Sequence, residues 1–446
     1  MKKKKASQIL NAIRDFLFSP ELETNGKIDE KAFSRKRSLN FQLVVFHILY
    51  LLKESLQMAI FELAMSLSIS PVSKQALCLA RKKVRKEAFI LINDRLIYEF
   101  YTENMVKTFL GFILLAIDGT TFQLPDSQQI KNKYGLAKNH LGESTIPLGR
   151  VSCCHDVVNK ITLDTIIKTC EASERSLAIE HLRNTFENFK GKSTLHLYDR
   201  GYTSLTLMFY HYYIGKDFVI RSNITFFPVD LQARIQNGET DFIIEFSAKK
   251  IKGLRKRAEF SSIMPNIPFT STIKVRILII ELSSGEKEIL MTSLTDPKIP
   301  HEAFKAIYNK RWGAEESYKV LKVLLEIENF SGKSELTVFQ DVYATIFAAN
   351  MTSIISQEAQ DELNEEKDNW TQHTHAYQIN QNIAIGALRE ELVVVLLDPD
   401  SDLEAFCYNL KQFMKKNTTA IRPDRIFPRI RKSSVRKFHI SRRRCM

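Results

Sequence analysis

Apolar positions recur at helical spacing through the first hundred residues. Leu43, Phe46, Leu49 and Leu52 fall three apart with few turn residues between them, and they predict a helical segment over residues 1–105. Within it, Ile69-Ser70-Pro71-Val72 reads as a turn between a helix near Glu54–Ser66 and another that Ser73 would cap. Past residue 105 the pattern changes. Phe112–Ile117 is a short apolar run ending in Asp118-Gly119, and Leu148–Cys154 and Ile161–Lys168 read as strands. A helix over Ser173–Phe189 follows. The strand Thr194–Tyr198 then runs into Asp199-Arg200-Gly201-Tyr202, the helix Ser204–Tyr213 and the strand Asp217–Arg221. Strands followed by strand–helix alternation predict an α/β sheet. Phe242–Phe246, Lys274–Ile280 and Glu288–Ser293 alternate or run β-branched, so 223–298 reads as a β-rich block inserted between two parts of one α/β domain, 106–222 and 299–360. Helices are expected at Pro300–Glu326 and Leu336–Ser356. The segment 361–420 is mixed and acidic, and 421–446 is a basic tail. No internal repeat is present.

Charge sharpens this picture. The net charge is +13, which favours a polyanionic partner. It is concentrated at the ends: residues 421–446 hold ten Lys/Arg against one acid, while the middle of the chain is nearly neutral and free to build an acidic site. A basic end can also be no more than a solvated tail. The segment after Ser73 carries Lys74, Arg81, Lys82, Lys83, Arg85 and Lys86, and in outline the helix pair resembles a helix-turn-helix, which would bring Lys82 and Arg85 to DNA. A packed helix with a solvated basic face has the same pattern. The six cysteines show no CxxC spacing and fit reduced thiols in a cytoplasmic protein. The apolar run Phe41–Leu52 is shorter than the roughly 20 residues a bilayer span needs. Charges at Arg14 and Asp15 interrupt any signal-peptide core after Lys2–Lys5.

Two acids, Asp118 and Asp199, follow short apolar strands, and ligand sites of α/β sheets lie beyond the carboxyl ends of strands. Taken singly, an Asp there can simply turn the chain. The expected helix Pro300–Glu326 adds a third element. On an unbroken helix Tyr308, Arg311, Glu315 and Lys322 fall at about 0°, 300°, 340° and 320°, a single stripe, with Val320, Leu321 and Leu324 opposite. A solvated face with Arg311–Glu315 as an i,i+4 pair has the same spacing. Glu316 falls at about 80°, so it and Glu315 cannot serve one metal pair on a regular helix.

The spacing Y-x2-R-x3-E-x6-K, filled by Tyr308, Arg311, Glu315 and Lys322, resembles the signature of DDE transposases of the insertion-sequence-four type, the group of the Tn-five and Tn-ten enzymes. Ile117-Asp118-Gly119-Thr120, with Leu124-Pro125-Asp126 after it, resembles that family's first-acid motif, and Tyr198-Asp199-Arg200-Gly201-Tyr202 its second. The resemblance spans roughly 110–350 and includes a β-rich insertion before the third acid. It implies a ribonuclease H-like catalytic core, with a helical N-terminal DNA-binding domain and a basic C-terminal tail. Asp118, Asp199 and Glu315 would ligate two Mg²⁺ ions, for which Mn²⁺ can substitute. Carboxylates with no partner Cys or His suit those hard ions rather than zinc, and two ions about 3.5–4 Å apart serve phosphoryl transfer. His373 and His375 read as polar loop residues rather than ligands. Arg311, Lys322, Tyr308 and Arg200 would contact phosphates, and Trp312 would either stack on a base or pack. With only Trp312 and Trp370 in the chain, no Trp lies in 223–298 to hold a flipped base; Phe226, Phe227, Phe242 and Phe246 are the aromatic candidates there.

The resemblance further implies binding to inverted repeats at the ends of a mobile element, cleavage by water, a hairpin step and joining of a 3′-hydroxyl to target DNA by a homodimer on double-stranded DNA. A non-transposing nuclease, or a catalytically inactive DNA-binding derivative, would share the fold. An RNA-binding protein is disfavoured by the lack of an aromatic RNP-type motif.

Overall fold

The computed structural model describes residues 5–50, 55–102, 106–136, 138–139, 142–143, 146–251, 267–268, 270–282, 285–367 and 376–421. His373, His375, Trp370 and nearly all of the basic tail lie outside the described residues. The chain divides into two compact units. One comprises 1–105, 123–148 and 319–446, and the other 106–122 and 149–318.

The first unit opens with helices α1 (Ala6–Leu17), α2 (Pro20–Gly26), α3 (Phe41–Leu49), α4 (Leu56–Ser66), α5 (Lys74–Arg81) and α6 (Glu87–Thr102). Side-chain oxygens of Ser19, Asn40, Ser55 and Ser73 accept backbone N–H groups at the starts of α2 to α5, which explains where those helices begin. The expected pair flanking Ile69–Val72 is therefore present as α4 and α5. The basic run, however, is not one helical face. α5 ends at Arg81, and Lys82 and Lys83 lie in the turn beyond it. Arg81 is buried, and its guanidinium bonds Gln340 Oε1 at 2.6 Å, Asp341 Oδ1 at 2.8 Å, the Thr337 carbonyl and the Ser331 hydroxyl. It is a packing residue; Lys82 and Arg85 are exposed. Helix α7 (Gln128–Tyr134) follows in this unit.

The second unit is built on one eight-stranded sheet. Its strands are β1 (Ile113–Gln123), β2 (Leu148–Asp156), β3 (Ile161–Thr169), β4 (Thr194–Tyr198), β5 (Asp217–Ser222), β6 (Asp241–Ser247), β7 (Thr272–Glu281) and β8 (Lys287–Thr292). Their spatial order is β3-β2-β1-β4-β5-β8-β7-β6. β1 and β4 pair in parallel, as do β4 and β5; β2/β3, β5/β8, β8/β7 and β7/β6 are antiparallel. Ile113–Ile117 and Thr194–Tyr198 are buried at every position, as central strands covered on both faces must be. β6 alternates exposed and buried, with Phe242, Ile244 and Phe246 inward, which is the pattern of a half-covered edge. Parallel neighbours need crossovers, and helices α8 (Glu174–Thr185) and α9 (Leu205–Ile214) lie in those connections. After α10 (Val229–Gln236) and the last three strands come α11 (Ala303–Asn309) and α12 (Trp312–Lys319). Phe304, Ile307, Tyr308 and Ala314 from these two helices join Leu114, Ala116, Leu195, Leu197 and Val219 of the sheet in one core cluster.

Two expectations are corrected here. The strands of 223–298 are not a block apart from the α/β sheet: β8 pairs with β5, so β6, β7 and β8 extend the same sheet. Nor is Pro300–Glu326 one helix. The chain tightens at Lys310 and Arg311, where N–H groups bond carbonyls three residues back, and it opens into a π-helical turn over Val320–Leu324. Rotation per residue departs from 100° at both places, so the single stripe computed for Tyr308, Arg311, Glu315 and Lys322 does not hold along its length.

The remaining helices return to the first unit. They are α13 (Glu335–Lys367), longer than the expected Leu336–Ser356, then α14 (Gln381–Leu397) and α15 (Leu403–Lys416). Lys411 bonds Glu358 and Glu362 at 2.5 Å, and Lys415 bonds Glu366 at 2.6 Å. Two lysines ahead of the basic tail are thus paired with acids of α13. No helix among the described residues is long and apolar enough to cross a membrane.

Candidate active site

The first two acids are brought together by strand register. β1 and β4 run parallel with Ala116 level with Leu197. Asp118 and Asp199 each lie two residues beyond that pair, where the backbone at Asp199 is still extended and the two charges interact. Neighbouring strands lie about 4.8 Å apart, and level residues project to the same face. Asp118 lies inside β1 rather than after it, since the strand continues to Gln123; Asp199 directly follows β4, as expected.

The third acid arrives on α12, and Arg311 links it to Asp118. Its Nη2 donates to Glu315 Oε1 at 3.1 Å, and its Nη1 lies 3.8 Å from Asp118 Oδ2. Against its burial, the interaction with Tyr308, the hydrogen bond to Glu315 and the charges of Asp199 and Asp118 hold the guanidinium protonated. Glu316 is exposed. Gly313 lets this segment sit close: a Cβ there would stand 2.9 Å from Val157 Cβ, a branch point that cannot swing aside. Gly313→Ala is therefore expected to lower stability by about 1–3 kcal/mol, read by urea unfolding. An unchanged midpoint would mean that α12 yields without cost.

Asp118 is held in a demanding environment. Burial pushes its carboxyl up to about 6; the Gly119 N–H at 2.8 Å and Arg311 oppose the rise, and Glu315 and Asp199 add to it. Asp199 Oδ1 is buried without a hydrogen-bond partner. A buried carboxylate oxygen left unpaired is costly and calls for a cation. The donor set of three carboxylates fits a divalent hard ion on those grounds. Among the described residues no three His, Cys, Asp or Glu side chains stand gathered as a finished metal cage; Arg311 lies among the acids.

Other expected contacts fall out differently. Tyr308 is buried, and its hydroxyl donates to the Tyr198 carbonyl at 3.4 Å, so it supports the end of β4 rather than pointing outward to a phosphate. Trp312 does not pack inward: it is 49% exposed, which leaves a face free for stacking. Arg200 is exposed beside Asp199. Lys322 lies in the π turn of the first unit. Several residues carry no signal in the sequence. Glu174, at the start of α8, is paired with Arg150 at 2.7 Å and lies against both glycines that follow the acids; a Cβ at Gly119 or Gly201 would meet its carboxylate at 3.3 or 3.4 Å. No spacing rule connects Glu174 to the motif glycines; the fold alone does. The Asp118 carbonyl accepts from Tyr318 and Ser152, which no motif marks.

A second feature lies wholly within the first unit. A groove of about 730 Å³ runs between the 31–39 segment and α5. Lys31, Arg35, Arg37 and Lys83 line it with the apolar Leu79 and Phe33, and no acid does among the described residues.

A family profile described as "Transposase DDE domain" matches residues 111–351. The chain is similar to the transposase InsG for insertion sequence element IS4 of Escherichia coli (strain K12), with 24% identity over 77% of this chain and 75% of the relative. Among solved structures it is similar to a piggyBac transposase synaptic complex with hairpin DNA, at 11% identity and a TM-score of 0.48, over 90% of this chain and 85% of that one. The matched segment contains Asp118, Asp199, Glu315 and the whole signature from Tyr308 to Lys322, and the chain belongs to the transposase DDE domain family, of the insertion-sequence-four type.

Proposed function

We propose that this protein cuts the ends of a mobile DNA element and joins them to target DNA by metal-dependent phosphoryl transfer. The observation that carries the reading is that Asp118 and Asp199 lie just beyond the paired stretch of the parallel strands β1 and β4, with Arg311 bonded to Glu315 and 3.8 Å from Asp118. The sheet order, with its antiparallel β2/β3 pair and parallel β1, β4 and β5, supports a ribonuclease H-like core. Asp118, Asp199 and Glu315 would hold two Mg²⁺ ions, or Mn²⁺ in their place. Such ions supply an activated oxygen nucleophile and relieve charge on the leaving oxygen. With cations held by those carboxylates, the Arg311 fork would be free to clamp a phosphate. Trp312 and Arg200, both exposed, would meet DNA near the cut. The protein works as a homodimer, because both element ends must be cut together. The test is incubation of the DNA flanking the gene with protein and Mg²⁺: end cleavage with strand joining is expected, and cleavage that never leads to joining would make the protein a nuclease.

Residues 1–105 serve as a DNA-binding domain in this reading. The acid-free basic groove beside α5 fits a phosphate backbone, and Arg35 and Arg37 are exposed there. Replacing both with Gln should weaken binding to any duplex. Each lost phosphate contact should lower the log–log salt slope by about 0.9. A slope equal to wild type would remove the groove from the DNA path.

A further inference from the structure

Tyr318 stands one turn after Glu315 on α12, and its ring is buried. Its hydroxyl donates to the backbone carbonyl of Asp118 at 2.6 Å and accepts the backbone N–H of Cys153 at 3.1 Å. One phenol oxygen therefore ties the helix of the third acid to the strand of the first, at the first acid's own carbonyl, and to the neighbouring strand β2. The same carbonyl accepts a second, longer bond from Ser152 Oγ at 3.3 Å. Ser152 is in turn joined to His181 Nε2 at 2.9 Å, and His181 Nδ1 lies 2.8 Å from Asp164 Oδ2. That Ser–His–Asp order is not a nucleophilic triad, because Ser152 and His181 are both fully buried. It gives the Asp118 carbonyl a second brace, independent of α12.

We infer that Tyr318 is a positioning residue that sets the separation of Asp118 and Glu315 and so preorganises the metal site. The inference rests on the reading of these acids as metal ligands. A phenylalanine would fill the same space, so packing alone does not require the hydroxyl. The hydroxyl is required if the two acids must be held in one geometry, since a carboxylate displaced with its backbone cannot share an ion with one on another element.

The test is Mn²⁺ binding to the full chain, metal alone, followed by electron paramagnetic resonance, with urea unfolding in EDTA as a check on the fold. Wild type should bind and Asp118→Asn should not; equal binding by both would sink the three-acid reading itself. With that reading standing, Tyr318→Phe should bind Mn²⁺ about 10–100-fold more weakly. Tyr318→4-aminophenylalanine, which restores a donor, should recover most of the affinity. Wild-type affinity in Tyr318→Phe, or no recovery with the amine, would overturn the inference. If Tyr318→Phe does not fold, Ser152→Ala reads the same carbonyl through its longer donor: a several-fold weakening is expected, and none would overturn it.

Discussion

Asp118→Asn is expected to abolish cleavage while making the metal-free protein more stable at neutral pH. Loss of a metal-ligand carboxylate removes several kcal/mol of transition-state stabilisation. At about 1.4 kcal/mol per decade that is a rate loss of ~10³-fold or more. Binding to DNA ends should survive, because affinity comes mainly from phosphate contacts elsewhere. The stability gain follows from the carboxyl's position. Its pKa is raised from 3.8 to about 6, so the folded protein holds this proton more tightly than the unfolded chain does. That contribution is fully present below about pH 4 and is lost as pH rises through 6, which leaves an ionised, poorly solvated group at pH 7.5. Asparagine keeps the Oδ1 acceptor for the Gly119 N–H and carries no charge. At about 1.4 kcal/mol for each tenfold change in proton affinity, the rise from 3.8 to about 6 sets an upper scale of roughly 2–3 kcal/mol. Urea unfolding in EDTA should show the mutant ahead at pH 7.5, with the gap closing as pH falls through 6 toward 4. In Mg²⁺ the order should narrow or reverse, because only wild type gains from binding. A mutant less stable in EDTA at every pH would mean that Asp118 is an ordinary paired carboxylate.

Glu315→Gln should eliminate cleavage and strand joining, and Glu316→Gln should keep most of both. The two residues are adjacent, yet the fold separates them. Glu315 meets Arg311 Nη2 at 3.1 Å and adds to the rise of the Asp118 pKa. Glu316 is exposed. The α-helical stretch from Trp312 to Lys319 lies between the two irregular turns, so a 100° step separates these neighbours in fact as well as on an ideal wheel. Glutamine at 315 can still accept from Arg311 but cannot offer an anionic ligand, so a loss of ~10³-fold or more is expected. Glutamine at 316 changes one solvated charge. Activity retained by Glu315→Gln and lost in Glu316→Gln would show that α12 turns differently when DNA and metal are bound.

Legibility differed by kind of residue. Asp118, Asp199 and Glu315 stood out as candidates because short apolar strands and a fixed spacing mark them locally. The helix start at Ser73 was visible because a cap is a contact three residues long. Arg81 looked like one member of a basic face; its partners Gln340 and Asp341 lie some 260 residues away, so no local pattern could show that it is buried.

The sequence by itself determined the family and most of the strands and helices, and it singled out three candidate acids, since all of these rest on periodicity or spacing within a few dozen residues. Only the tertiary structure decided that β6, β7 and β8 extend the catalytic sheet, because strand pairing is a long-range choice that alternation alone does not encode. It also decided that the helix after Pro300 breaks at Arg311 and loosens at Val320. Packing of Gly313 on Val157 and of Tyr308 beneath the end of β4 outweighs the propensity for one straight helix there. And it alone brought Tyr318 to the Asp118 carbonyl, 200 residues back in the chain, because a hydrogen bond depends on where two atoms meet in space and not on how far apart they stand in sequence.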